Sequence, residues 1–217
     1  MKIMNKKWLK LFLLYFVVYL IIIPKIVNGY PTSLQGIILT IVSVGFLIVY
    51  ILLNKIVFDN LLTKIIDIAD NSIYVGIISI VLLFINITCS FFKMNLCIDN
   101  NIGYTSLINS YYINPIMVVC IVVCNPILEE LVFKHVLFDQ TEILKEKKIL
   151  KIILISVVFS ILHILNEILV FNVYALIDFI NYFTFSIITF LSYTKTNNIL
   201  YPIMIHMLCN GVAIYLI

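Results

Sequence analysis

Arginine is missing from this 217-residue chain, whose 14 basic side chains are all lysine. Charge of either sign is scarce: 12% of residues are charged and 63% hydrophobic, whereas soluble proteins run near about 25% charged and roughly 45–50% apolar. The formal net charge is only +3, and the lysines gather at the ends of apolar stretches. That distribution fits membrane topology and headgroup contact and excludes a nucleic-acid partner. Cysteine is sparse and forms no CxxC pair, so Cys120, Cys124 and Cys209, inside apolar stretches, read as small buried hydrophobes. Cys89 and Cys97 are placed where they could meet outside a membrane. No internal repeat or low-complexity tract is present.

What the chain has in excess is long apolar runs, with a mean hydropathy of +1.15. Windows of about 20 residues, the length that crosses a hydrocarbon core as helix, fall near 8–27, 34–53, 73–92, 113–138, 151–171, 173–193 and 199–217. The expected fold is therefore all-α, a polytopic membrane bundle of about seven transmembrane helices. It divides into N-terminal helices with an external loop (1–112) and a C-terminal core (113–217). The basic start followed by an over-long apolar run reads as a retained signal anchor. Lysines concentrate in alternate loops, so the positive-inside rule puts a multi-pass protein in the cell membrane with its N-terminus cytosolic and its C-terminus external. Residues 54–71 alternate Leu/Ile pairs with Lys and Asp, the pattern of a helix lying on the cytosolic surface, although a solvated loop fits nearly as well. The 13 tyrosines and Trp8 are expected mainly as interfacial anchors.

Ionisable side chains at membrane depth are costly and mark function by default. Glu129 and Glu130 stand side by side within the run 113–138, followed by Lys134 and His135, and the later runs carry His163 and His206. At about 1.5 Å per helical residue, Glu129, Glu130, His163 and His206 lie some 12–18 Å from the lysine-rich ends of their helices. A shared site opening toward the cytosol is expected. Residues four apart share a helix face, which pairs Glu130 with Lys134, Phe159 with His163, and His206 with Asn210. Lys134 can neutralise one glutamate and leave the other as a base. Pro126 and Pro202 could each open space beside the site by bending a helix, though Pro202 equally reads as the start of the last span. Glu167, one turn past His163, could orient it, and Asp178 reads as structural or interfacial.

The segment NPILEELVFKHVLF (125–138) resembles the EExxxR motif of the CAAX protease and bacteriocin-processing (CPBP) family of membrane-embedded peptidases. FSILH (159–163) is similar to its FxxxH motif and HMLCN (206–210) to its HxxxN motif. The resemblance covers 113–217 and implies an endopeptidase acting on a peptide or membrane-protein substrate near the cytosolic face. In it Glu129 activates water with help from His163, His206 and Asn210 hold the developing oxyanion, and Glu130 supports with Lys134. Two His and one Glu also suffice for a zinc site with an open position, so Glu129, His163 and His206 stand as alternative metal ligands. Lys134 replaces the usual arginine and His135 the common glycine. Those departures support a second reading, a weakened member acting as a bacteriocin-immunity or scaffold protein. A small proton- or cation-coupled transporter is the third, and it requires polar groups reaching both faces.

Overall fold

The computed structural model describes residues 6–22, 26, 32–53, 61–96, 118–142, 144, 146–169, 171–172 and 174–216, and these are all-α, with no strand among them. The polar stretch after residue 96, with Cys97 and the expected external loop, lies outside the described residues. Helix α1 runs Lys6–Leu13 and continues in π-helical form over Leu14–Ile22; α2 is Thr32–Leu53, α3 Leu61–Asp70 and α4 Ser72–Leu96. Helix α5 is one rod in three parts, π-helical Cys120–Cys124, α-helical Asn125–Glu130 and π-helical Leu131–Asp139. Then follow α6 (Lys148–His163), the short α7 (Leu165–Leu169), α8 (Ala175–Thr196) and α9 (Leu200–Leu216).

Helix α5 is central, touched by α1, α2, α6 and α9. Leu128, Leu131, Val132 and Val136 have 0% exposure and pack with Phe133, Phe159, Phe190, Leu11, Tyr15 and Tyr50. The wide turns of α5 have a local cause. Pro126 has no N–H to donate, so the ladder ahead of it shifts register and the Asn125 N–H reaches back to the Cys120 carbonyl. Pro202, in contrast, sits in the first turn of α9, where its missing donor costs nothing; it bends no helix beside the site.

Helices α6 and α8 meet through small side chains. Ser156, Ser160, Ser186 and Thr189 are fully or almost fully buried, and the Ser186 hydroxyl bonds the Ser156 hydroxyl at 3.0 Å. Small hydroxylated residues let two helices approach closely where no hydrophobic force drives them together.

Two helices are long and apolar enough to cross a membrane, Ser72–Phe91 and Ala175–Thr196, with shorter apolar helices over Ile37–Leu52 and Leu200–Ala213. The expected span 151–171 is broken. Helix α6 stops at His163, Ile164 leaves helical geometry at φ −103° and ψ 14°, and α7 follows. The His163 imidazole shares the Phe159 carbonyl one turn back, and side-chain competition of this kind accompanies helix ends.

Several tyrosines expected at interfaces are core residues instead. Tyr15, Tyr50 and Tyr201 are at most 2% exposed. Each buried phenol needs an acceptor: Tyr50 donates to the Leu11 carbonyl, tying α2 to α1, and Tyr201 to the Asp67 carbonyl at 3.0 Å.

Residues 61–70 do form the helix expected there, with no residue buried. Ile68 packs against the cluster of Val75, Leu82, Tyr201 and Ile205, and the polar side of the helix is tied as well. The Asn198 amide donates to the Lys64 carbonyl and to Asp67 Oδ2, each at 3.1 Å, while Leu62, Ile65 and Ile66 face outward. Asn198→Ala is expected to cost about 1–3 kcal/mol, because it strands acceptors that the bundle covers. Chemical unfolding reads that loss, and proteolysis within 61–70 should quicken in parallel; unchanged values for both would show that α3 is held by other contacts.

Candidate active site

The α-helical middle of α5 carries Glu129 and Glu130 as adjacent residues, which on a helix must diverge by about 100°. Glu130 turns inward and is 1% exposed. There its carboxylate is ion-paired with Lys134 one turn on, also 1% exposed, and its Oε1 accepts from His206 Nδ1 at 2.9 Å. The Lys134 ammonium lies 4.4 Å from the Phe190 ring centroid, so the buried cation has a carboxylate on one side and a π face on another. Lysine therefore fills the pairing role expected of position 134, although without the fork of a guanidinium.

Glu129 turns toward the two later histidines. His163 Nε2 lies 3.4 Å and His206 Nε2 3.8 Å from Glu129 Oε2. That oxygen is buried and accepts no hydrogen bond among the described residues, a costly state for a carboxylate.

The far side of each imidazole is already committed. His163 Nδ1 is 2.8 Å from the Phe159 carbonyl, which can only accept, so Nδ1 carries the proton. His206 Nδ1 likewise donates to the Glu130 carboxylate, which is paired with Lys134. With both Nδ1–H groups occupied, each imidazole in its neutral form turns an Nε2 lone pair onto one carboxylate oxygen. A single proton placed in that triangle converts repulsion into a hydrogen bond, so the arrangement is built to take up and pass on a proton.

Aromatic rings fix both imidazoles. Phe159 lies 4.1 Å and Tyr182 4.6 Å from the His163 ring centroid, at tilts of 32° and 34°, and Phe185 stands edge-on to His206 at 4.6 Å.

Glu129, Glu130, His163 and His206 thus come together, with Lys134 and Phe159 behind them. Asn210 goes elsewhere: its Nδ2 donates to the Ile121 carbonyl at 3.1 Å and ties α9 to the start of α5. That uses one of its two amide hydrogens. Glu167 does not orient His163; its Oε2 is buried without a hydrogen bond among the described residues, and the Phe159 carbonyl takes the orienting role. His135 pairs with Asp139 at 3.5 Å and meets Trp8 edge-on, away from the glutamates. Reasoning from ionisable residues passed over Tyr182, Phe185 and Phe190. Their signal was an aromatic face on α8 interleaved with Ser186 and Thr189, a pattern that also describes ordinary packing.

The way in differs from the expected one. Side-chain exposure is 23% at His163 and 14% at Glu129 but 7% at His206 and 1% at Lys134. Toward the lysine-rich end the site is packed shut by Lys134, Phe138, Phe190 and Tyr193. A recess of about 200 Å³ at that end is lined by Asp139, Lys148, Lys151 and Asn197, among others, but by none of the glutamates or site histidines. The accessible edge is at His163, the last residue of α6.

Among the described residues no group of three or more His, Cys, Asp or Glu side chains is placed to hold a metal ion. The nearest candidates are Glu129, His163 and His206, whose Nδ1–H partners resemble the outer-shell bonds that orient metal-binding histidines.

Fold and site together give an all-α protein with a carboxylate set between two oriented imidazoles. Residues 112–212, which carry all three motifs, match the family described as type II CAAX prenyl endopeptidase Rce1-like. No curated protein and no solved structure matches the chain.

Proposed function

We propose that the protein is an intramembrane endopeptidase, with Glu129 as the base that activates water. The observation carrying this reading is the buried Glu129 Oε2, which accepts no hydrogen bond among the described residues and is faced by two oriented Nε2 atoms. A water seated against that oxygen loses a proton to it as its own oxygen attacks the scissile carbonyl carbon. The carbonyl oxygen takes up negative charge, the C–N bond breaks as that charge returns, and the proton passes to the leaving nitrogen. His163 holds and shares the proton. His206, fixed by Glu130 and Lys134, faces the developing oxyanion and donates to it once its Nε2 has taken up the proton, a donor of this kind being worth about 10²–10³-fold in rate.

The substrate is a peptide or membrane protein reaching the accessible edge at His163. The surroundings are those of a multi-pass protein of the cell membrane, with some seven spans, a cytosolic N-terminus and an external C-terminus. Lipid then covers the outward apolar faces of α3 and α4, on which Leu62, Ile73, Ile77, Ile80 and Phe84 are 57–78% exposed.

The test reconstitutes the purified protein and compares it with Glu129→Ala, His163→Ala and His206→Ala, with and without a chelator, against a peptide library and in an in-cell protection assay. Loss in all three variants is the expected result. Chelator sensitivity restored by zinc would instead make Glu129, His163 and His206 metal ligands. Protection that survives Glu129→Ala would favour the immunity or scaffold reading, for which Lys134 and His135 are the motivating residues. Lys134→Arg joins the series: a rise in cleavage marks lysine as a weakened substitute for the family's arginine.

A further inference from the structure

We infer that Tyr182, on α8 and outside every motif, is a positioning residue that sets the plane of the His163 imidazole; this rests on the peptidase reading above. His163 is the most exposed group of the centre, at 23%, and the last residue of its helix, where no following turn of α6 confines it. One hydrogen bond, Nδ1 to the Phe159 carbonyl, fixes where the ring attaches but leaves it able to rotate about that bond. Rotation would swing Nε2 off Glu129. Two tilted rings packed against it oppose this: Phe159 at 4.1 Å comes from α6 itself, and Tyr182 at 4.6 Å comes across from α8. Both lie within 34° of parallel to the imidazole, so they restrict its plane and not only its position.

The anchorage of α8 makes this contact rigid. Ser186, one turn past Tyr182, bonds Ser156 on α6, and Phe185 stands against His206. A helix without a motif thereby holds both imidazoles in register. The Phe159 member of the stack can be read from the FxxxH spacing, whereas Tyr182 enters only through the α6–α8 packing.

The experiment compares Tyr182→Leu with Tyr182→Phe in the full-length reconstituted protein, using two readouts. The first is the rate at which diethylpyrocarbonate modifies the His163 ring, measured by mass spectrometry with His135 of the same molecule as the internal reference. The second is the kcat and KM of cleavage. Stacked aromatic pairs are worth enough to predict changes of about 2- to 10-fold. Tyr182→Leu should speed His163 modification by that factor and lower kcat similarly with KM nearly constant, and Tyr182→Phe should restore both. An unchanged His163 rate in Tyr182→Leu overturns the proposal, and a Phe variant as impaired as Leu overturns it in favour of the hydroxyl. Because the modification readout needs no turnover, it separates failure of this inference from failure of the peptidase reading. If Tyr182→Leu does not fold, Tyr182→Met, which keeps volume without a ring, replaces it and should behave as Leu is expected to.

Discussion

Glu129→Gln is expected to lower peptide cleavage by about 10²–10⁴-fold, the contribution of a positioned general base, while leaving the protein as stable as before or more so. The second half of that expectation is the sharper. Glu129 Oε2 is buried and accepts no hydrogen bond among the described residues, yet two Nε2 atoms face it. A neutral amide of the same size removes the desolvation cost of a carboxylate and offers N–H donors to those nitrogens. Activity and stability should therefore move in opposite directions, as they do where a site is strained for function. Cleavage assays read the first and thermal unfolding in detergent the second. Retained cleavage would remove Glu129 from the chemistry. A large loss of stability would make it a structural residue.

The neighbouring glutamate should behave in the reverse way. Glu130→Ala leaves Lys134 as an uncompensated cation at 1% exposure, and breaking a buried pair by removing one partner costs about 3–5 kcal/mol. That is a large part of the stability of a typical fold, so low yield or a strongly depressed unfolding midpoint is the expected outcome. The paired replacement Glu130→Leu with Lys134→Met should recover most of the loss, since apolar groups of similar volume often replace a buried ion pair without penalty. It should not recover activity, because His206 Nδ1 then has no carboxylate to orient it. If Glu130→Ala unfolds within about 1 kcal/mol of wild type, the pair is not what holds α5 in place. If the double variant cleaves normally, Glu130 does not position His206. Two adjacent and chemically identical residues are thus expected to separate cleanly, one lost through rate and the other through folding.

The glutamates, the two histidines, Lys134 and Phe159 were legible because an ionisable side chain in an apolar run is conspicuous, and because residues four apart on a helix must share a face. The pairing of Lys134 with Glu130 follows from that spacing, and the structure bears it out. The same local reasoning failed where partners come from another helix. Asn210 was expected to face the site on the strength of its spacing from His206, but its amide is engaged by the Ile121 carbonyl, 89 positions away. Glu167 has the spacing to orient His163, yet a backbone carbonyl does so. The tyrosines read as interfacial by composition, whereas Tyr50 and Tyr201 find acceptors 39 and 134 positions away and go to the core. The opening toward the lysine-rich end was inferred from depth alone. Depth fixes the level of a group along its helix but not which neighbours fill the space beside it, and Phe138, Phe190 and Tyr193 fill it.

By itself the sequence determined the all-α class, the residues able to carry charge or a proton, and the helix on which each is placed, because these follow from residue chemistry and helical periodicity. Only the tertiary structure decided that Glu130 turns inward to Lys134 and His206 Nδ1, that Tyr182 packs against His163, and that the accessible edge lies at the end of α6. The physical reason is that a helix repeat sets the angle between neighbours on one rod, while the rotation of each rod against the others is set by packing across α5, α6, α8 and α9, where Ser156, Ser186, Phe133 and Phe190 meet.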